Sequence, residues 1–130
     1  MKVRKIVVDS GIIAEHLVTE TSPSLLRKLA REYFCYTTVF NAIELFSAAR
    51  SENEIQAIDN AMAAMKVLGL NSKSAKNMAE HFLQSKEVLT GLIAGVCIES
   101  KLPLVTPVPN CYKKFKSLEI IPSSTLKRKR

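Results

Sequence analysis

The fold is constrained most tightly where the apolar run Ile6-Val7-Val8 ends abruptly on Asp9. A continuous run of Val and Ile is typical of a buried parallel strand, because helices cover both faces of such a strand. A helix-like pattern begins directly after it. Ligands of parallel sheets bind beyond the carboxyl ends of the strands, so Asp9 stands where an acidic metal or substrate site would be built. The alternative is that Asp9 or Ser10 caps the following helix.

The length and composition indicate one folded domain in the cytoplasm. The 130 residues are enough for a single core, and 47% of them are hydrophobic, which is too many for a disordered chain. No apolar run reaches the length that a membrane span needs. The first residues begin like a signal peptide, but Asp9 follows too soon for a secretory segment. We therefore expect a cytoplasmic protein without a membrane partner.

Short apolar segments alternate with helical patterns along the chain. Five segments read as strands, at positions 3–9, 33–37, 67–70, 102–106 and 118–121. This alternation predicts a three-layer α/β/α sandwich with a mainly parallel central sheet of four to five strands. We expect the domain to occupy residues 1–122 and a basic tail to occupy residues 123–130.

Several polar residues mark the starts of the predicted helices. Ser22 is a candidate cap, with Pro23 at the first helical position. Thr37 or Thr38 is expected to cap the next helix, and Ser51 the one after that. A strongly apolar helix is expected to run from about position 86 to 99.

A second acid, Glu44, lies among apolar neighbours in a helical pattern. A carboxylate in such surroundings needs a cation, hydrogen bonds or water, because an isolated buried charge is costly. Glu44 is either a half-exposed residue on a helix edge or a partner of Asp9 in binding Mg²⁺ or Mn²⁺, which prefer oxygen ligands. Glu87 is a further acid near a helix start, where a first-turn acid without a ligand role is the alternative.

Basic residues are concentrated at the end of the chain, which has a formal net charge of +7. One cluster lies at Lys113, Lys114 and Lys116, and a terminal run consists of Lys127, Arg128, Lys129 and Arg130. Such runs are either solvated tails or sites for a polyanion such as RNA, bound by neutralising phosphates. An acidic protein partner would suit them equally well.

The order of the segments resembles that of the PIN domains, particularly the VapC-type toxins of bacterial and archaeal toxin–antitoxin pairs. Residues 7–13 resemble that family's opening strand and acid, and residues 37–45 resemble the block whose helix carries the second acid. Residues 92–94 with 102–106 resemble the third block, and residues 115–121 resemble the closing strand. The resemblance spans nearly the whole chain.

The resemblance implies metal-dependent cleavage of RNA at a cluster of carboxylates. Asp9 and Glu44 match the first two acids, which would hold Mg²⁺ or Mn²⁺. Thr90 stands where the third acid is expected, and residues 107–109, Pro-Val-Pro, stand where the last acidic or amide position is expected. Glu87, one turn before Thr90, is the residue that could partly compensate. The family also implies a homodimer formed through the helices between positions 22 and 65, and an antitoxin-like protein partner.

Three hypotheses follow for the function. The first is an endoribonuclease of PIN type that depends on Mg²⁺ or Mn²⁺, with Asp9, Glu44, Thr90 and Glu87 at its active site. The second is a PIN-like fold that has lost catalysis and serves as a binding module for RNA or a protein partner. The third is a small α/β regulatory protein unrelated to nucleases, against which the order of the blocks argues.

Overall fold

The computed structural model describes residues 3–19, 23–83 and 87–127, with side chains described except at positions 80–83 and 127. Some residues singled out in the sequence therefore lie outside the described residues: Ser22, Lys86, Arg128, Lys129 and Arg130. Lys127 is described by its main chain alone.

The centre of the molecule is a five-stranded sheet in which every pair of neighbouring strands is parallel. The strands are β1 (Arg4–Val8), β2 (Tyr33–Thr38), β3 (Lys66–Leu68), β4 (Leu104–Thr106) and β5 (Ile120–Pro122). Their order in the sheet is β3-β2-β1-β4-β5. The predicted parallel α/β architecture is therefore confirmed, although most strands are shorter than the sequence pattern indicated.

Helices connect the strands and lie on both sides of the sheet. Within the described residues they are α1 (Ser10–Val18), α2 (Leu25–Glu32), α3 (Val39–Ala48), α4 (Glu52–Ala63), α5 (Ser72–Leu83), α6 (Val88–Ser100) and α7 (Ser124–Lys127). A short 3-10 helix, Pro109–Tyr112, follows β4. None of the helices among the described residues is long and apolar enough to span a bilayer.

The strand order creates a crevice at the carboxyl ends of β1 and β4. From the central strand β1 the chain moves outward through β2 and β3, and it then returns to the other side of β1 for β4 and β5. The connections after β1 and β4 therefore leave the sheet in opposite directions. Such a switch point is where α/β sheets bind their ligands. Asp9, which directly follows β1, lies at this point.

The core consists of two apolar clusters, one on each side of the sheet. Side chains alternate between the two faces along a strand, so Ile6 and Val8 belong to one cluster and Val7 belongs to the other. The first cluster packs against α1, α2, α3 and α4, through residues such as Ile12, Leu26, Leu45 and Ile58. The second packs against α6 and the segment after the 3-10 helix, through Ile93, Cys97 and Phe115. Both faces are thus covered, which explains the uninterrupted apolar run of β1.

The helix starts agree with the sequence except at α2. Thr38 caps α3 and Ser51 caps α4, as expected. The prediction that Pro23 occupies the first helical position of α2 is wrong, because Ser24 is the N-cap and Leu25 begins the helix. The Ser24 hydroxyl accepts a hydrogen bond from the Arg27 amide at 3.1 Å and lies 2.7 Å from Nδ1 of His16.

Ordered structure continues beyond position 122. Ser123 is buried, and its amide donates a hydrogen bond to the carbonyl of Thr106 at 2.9 Å. The short helix α7 follows, and Leu126 packs against the first core cluster. Residues 123–126 therefore contribute to the folded domain, and any solvated basic tail begins later than position 123.

Candidate active site

Asp9 is held at the carboxyl edge of the sheet by both of the strands that meet there. Its amide donates to the carbonyl of Val105 at 3.0 Å, which continues the pairing of β1 with β4 past the last residue of β1. Asp9 is only 5% exposed. The main chain thus places a carboxylate beside Thr106, the last residue of β4.

Neutral donors occupy most of the hydrogen-bond acceptor capacity of the Asp9 carboxylate. Oδ1 accepts from the Ser10 amide and from Nδ2 of Asn41, both at 2.9 Å. Oδ2 accepts from the Thr106 hydroxyl at 2.7 Å. Asp9 is also the N-cap residue of α1. Capping and a place in a metal or substrate site were alternatives at the level of sequence; Asp9 caps α1 and also lines a pocket, so the cap does not exclude a site.

The four acidic and hydroxyl side chains predicted for the site line one pocket, which we call the acid pocket. It has a volume of about 240 Å³, and its lining includes Asp9, Glu44, Glu87 and Thr90. These residues come from the end of β1, the middle of α3 and the start of α6, so the fold brings together positions that are far apart in sequence. A pocket at a switch point with convergent polar groups is the usual location of an active site.

The acids of the pocket differ in their surroundings. Glu44 is exposed and lines the same pocket as the buried Asp9. Thr90 is half-buried, and its hydroxyl donates to Oε1 of Glu87 at 3.3 Å. Glu87 lies at the start of α6, as expected, but as the N-cap residue and not inside the first turn, and its side chain makes no capping bond. Its carboxylate is therefore part of the pocket lining.

The segment after β4 forms the opposite wall of the pocket. Pro107, Val108, Cys111 and Tyr112 line it, with no carboxylate among them. Pro107 lies so close to Gly11 that a Cβ at position 11 would stand 2.6 Å from its Cγ. A glycine is therefore needed at the start of α1 for this wall to close over the pocket.

Tyr112 brings a buried hydroxyl to the same place. Burial, followed by the negative charge of Asp9, raises the pKa of Tyr112 far above its usual range. Burial and then the Asp9 charge raise the pKa of the Cys97 thiol in the same way. The shifted pKa favours the protonated form of the Tyr112 hydroxyl.

The donor set fits a hydrated divalent ion. Mg²⁺ is commonly bound through one or two carboxylates together with waters, and Asp9, Glu44 and Glu87 offer carboxylates to the acid pocket. Among the residues that the structure describes, no group of three or more His, Cys, Asp or Glu side chains could hold a metal ion. A site here would thus rest on fewer than three such side chains, and Asp9 and Glu44 are the two that the resemblance assigns as ligands, with water completing the coordination.

The basic residues predicted to contact nucleic acid fall into two groups. Lys113, Lys114 and Lys116 are exposed on the turns that directly follow the 3-10 helix. That helix contributes Cys111 and Tyr112 to the acid pocket, and the basic cluster follows these residues directly in the chain. The terminal run stays a prediction, because Arg128, Lys129 and Arg130 lie outside the described residues and Lys127 has no described side chain.

Sequence reasoning missed Asn41, Thr106 and Tyr112, which surround Asp9. The sequence did offer a signal for Thr106, because it is a polar residue at the end of an apolar strand, as Asp9 is at the end of β1. Asn41 and Tyr112 carried none, because only the packing of α3 and of the 3-10 helix against β1 brings them to Asp9.

A larger groove lies next to the acid pocket. It has a volume of about 470 Å³ and lies between α1, α3 and α4. Its lining is mainly apolar and includes several alanines: Ala14, Leu17, Val18, Leu45, Ala48, Ala49, Asn53, Glu54, Ala57 and Ile58. Small side chains let another chain approach the helices closely, so the groove could accept an apolar segment.

Comparison with known proteins identifies the fold but gives no relative by sequence. No protein-family model matches the chain, and no curated protein matches it. Solved structures do match. A chain of the DNA-bound VapBC structure from Salmonella typhimurium has a TM-score of 0.75 at 14% identity, covering 93% of this chain and 98% of that one. A chain of the Rickettsia felis VapBC2 structure, bound to a promoter DNA fragment, has a TM-score of 0.74 at 15% identity, covering 91% and 98%.

A third match comes from a toxin–antitoxin complex of Klebsiella pneumoniae, with a TM-score of 0.70 at 10% identity, covering 89% of this chain and 95% of that chain. These full-length matches show that the chain has the PIN-like fold of VapC toxins. The resemblance read from the order of the sequence blocks is thereby confirmed at the level of the fold.

Proposed function

We propose that this protein is a PIN-domain endoribonuclease of the toxin type, which hydrolyses RNA phosphodiester bonds in the acid pocket with Mg²⁺ or Mn²⁺. The observation that carries the proposal is the convergence of Asp9, Glu44 and Glu87 on one pocket at the switch point of the sheet. Three separate segments supply these carboxylates, and of the three only Asp9 is buried. Paired carboxylates at such a point suit metal-assisted hydrolysis of a phosphodiester.

The side chains of the pocket divide the work of the reaction among them. A bound Mg²⁺ or Mn²⁺ would polarise the phosphoryl oxygen and promote ionisation of the attacking water. Asp9, held by Thr106, and Glu44 would bind the ion. Thr90 and Glu87 would hydrogen-bond a water beside the phosphate and orient it. Tyr112, kept protonated by burial and by Asp9, would stabilise the Asp9 carboxylate.

RNA would be attracted by the positive charge next to the pocket. Lys113, Lys114 and Lys116 are exposed beside it, and Lys127, Arg128, Lys129 and Arg130 would add charge at the end of the chain. Neutralising phosphates releases counterions, which favours association but carries no sequence preference. The basic residues thus bring the RNA to the pocket, and the pocket selects the bond.

The groove between α1, α3 and α4 is proposed as the site of an antitoxin-like partner. The three solved structures compared above are toxin–antitoxin complexes. An apolar groove lined by alanines suits a helix of a partner chain.

A homodimer through α3 and α4 is part of the same proposal, because Ile43 and Ile55 are exposed there. Sedimentation at several protein concentrations tests the dimer, whose absence would exclude it.

The test of the function is metal binding and RNA cleavage by Asp9→Asn and Glu44→Gln. Asparagine can still cap α1, so Asp9→Asn is expected to fold. Both variants should lose Mn²⁺ affinity and cleavage by roughly 100-fold or more, since even outer-shell changes cost about 10–100-fold. Glu32→Gln, an exposed acid on α2, is the matched control and should behave as wild type. If neither substitution alters Mn²⁺ affinity or cleavage, the proposal is wrong.

The second candidate is a PIN-like binding module without catalysis. The observation that favours it is the hydrogen bonding of Asp9 to neutral donors, together with Thr90, Pro107 and Val108 in place of further acids. Such a protein would retain RNA in a salt-dependent way but neither bind Mn²⁺ nor cleave. The same assays therefore separate the two candidates.

A further inference from the structure

Asn41 is fully buried beside the acid pocket, and its side chain uses its entire hydrogen-bonding capacity. Its Nδ2 donates to Oδ1 of Asp9 at 2.9 Å and to the Ser10 hydroxyl at 2.8 Å. Its Oδ1 accepts from the amide of Thr38 at 3.2 Å and from the hydroxyl of Thr38 at 2.7 Å. A carboxamide has two N–H donors and one oxygen with two lone pairs. Every one of these is engaged, at 0% exposure.

The orientation of this amide follows from the groups around it. Turning the carboxamide over would set Nδ2 against the Thr38 amide N–H and Oδ1 against the Asp9 carboxylate. Both ends would then pair like with like, which is costly for buried groups. The main chain is fixed too, because the Asn41 amide donates to the Thr38 hydroxyl at 3.1 Å in the cap of α3. The start of α3 thus directs an N–H group at Asp9.

This contact determines which oxygen of Asp9 remains available. Oδ1 accepts from Asn41 and also from the Ser10 amide at 2.9 Å, and these two bonds occupy its lone pairs. Oδ2 accepts one hydrogen bond, from the Thr106 hydroxyl at 2.7 Å, so it keeps a lone pair for another partner. We propose that Asn41 is a positioning residue, which holds Asp9 so that Oδ2 is the oxygen offered to a divalent cation in the acid pocket. This inference rests on the function proposed above.

The test is Mn²⁺ affinity of the intact chain, measured by calorimetry or electron paramagnetic resonance. Asn41→Ala releases Oδ1 of Asp9 and should weaken Mn²⁺ binding by about 10–100-fold, the usual effect of losing a group that orients a metal ligand. Asn41→Ser is the conservative variant, because it keeps a hydroxyl donor, which lies on a shorter side chain and can reach Asp9 through a bridging water. Its affinity should lie between those of wild type and Asn41→Ala. Equal affinities in all three proteins would overturn the proposal.

Thr37→Val is the matched control for loss of a buried hydrogen bond. Thr37 is also fully buried, and its hydroxyl donates to the carbonyl of Val8 at 2.8 Å without touching Asp9. This variant should lower the melting temperature as the Asn41 variants do, but it should leave Mn²⁺ affinity unchanged. If Thr37→Val weakens Mn²⁺ binding as much as Asn41→Ala does, the effect is one of general stability and the positioning role is refuted.

Failure of the proposed function would look different. Wild-type protein that binds no Mn²⁺, or binds it independently of Glu44, contradicts the proposed function. The contact itself is then decided by a double-mutant cycle of Asn41→Ala with Asp9→Asn, read from melting temperatures. Asn41 holds Asp9 if the double variant loses less than the sum of the single losses, and additive losses would exclude the contact.

Discussion

Asp9 illustrates how one residue can carry two roles that the sequence presents as alternatives. Its side chain caps α1, and the same carboxylate lines the acid pocket. The sequence was sufficient to predict Asp9 and Glu44, because an apolar strand ending on an acid and a matching second block can both be read directly. It could not indicate Asn41 or Tyr112, whose contacts with Asp9 depend on how distant segments pack. Sequence patterns therefore indicate the acids that line the pocket more readily than the residues that surround Asp9.

Thr90 is the position in the acid pocket where a substitution is most expected to raise affinity for a divalent ion. Thr90→Asp would add a carboxylate beside Glu44, Glu87 and Asp9. Affinity for a hard divalent ion rises with the number of charged oxygen ligands, so we expect Mn²⁺ to bind more tightly by on the order of tenfold. Calorimetric titration measures this change. Gln56→Glu, an exposed substitution on α4 outside the lining of the pocket, adds the same charge and should leave the affinity unchanged.

An unchanged affinity in Thr90→Asp would mean that the start of α6 does not approach a bound ion. The distance between Thr90 and the carboxylate of Asp9 would then be too great for a shared ligand shell. Loss of folding would be visible as a lowered melting temperature and is separable from loss of affinity.

At the level of helices and strands, the predictions succeeded where a local signal decided the outcome. Ser51 and Thr38 cap their helices because hydroxyls at these positions meet free amides one turn later. The prediction failed at α2, where Pro23 was expected to open the helix. Ser24 caps it instead, and its hydroxyl is held by His16 of α1. A contact between two helices thus determined a boundary that the local pattern assigned differently.

The contact between His16 and Ser24 should make stability depend on pH. Burial, followed by the charge of Arg27, lowers the pKa of His16, and Glu15 opposes this to a smaller extent. The folded state therefore favours the neutral ring, whose Nδ1 can accept the Ser24 hydroxyl hydrogen. Since the unfolded chain binds the proton more readily, the contribution is complete above about pH 6.5 and is lost as the pH falls below that value.

The measurement is the free energy of unfolding of wild type and His16→Gln between pH 5 and pH 7.5. Glutamine can accept the Ser24 hydroxyl hydrogen but does not titrate, so the variant should lose less stability on acidification than wild type does. The difference between the two curves isolates His16 from the other titrating groups. Identical pH dependence in both proteins would contradict the assignment.

Over the whole molecule, topology decides where chemistry can occur. The alternation of strands and helices predicted a parallel sheet, but the order β3-β2-β1-β4-β5 depends on how the crossovers turn, which no single segment encodes. That order puts Asp9 at the switch point and brings Glu44 and Glu87 to it. The turns that carry Lys113, Lys114 and Lys116 directly follow the 3-10 helix of the pocket lining. Part of the net charge of +7 is therefore concentrated in one segment of the chain.

The location of this charge gives the last prediction. Replacing Lys113, Lys114 and Lys116 with Gln should weaken RNA binding and lower the slope of log affinity against log salt by about two, since each contact with single-stranded RNA contributes about 0.7. Filter binding at several salt concentrations measures the slope. Replacing Lys5, Lys73 and Lys76, which are exposed elsewhere on the molecule, removes the same charge. That control should leave the slope nearly unchanged, because counterions are released only where phosphates are contacted. Equal slopes for the two triple variants would show that RNA binding responds to the net charge and not to Lys113, Lys114 and Lys116 in particular.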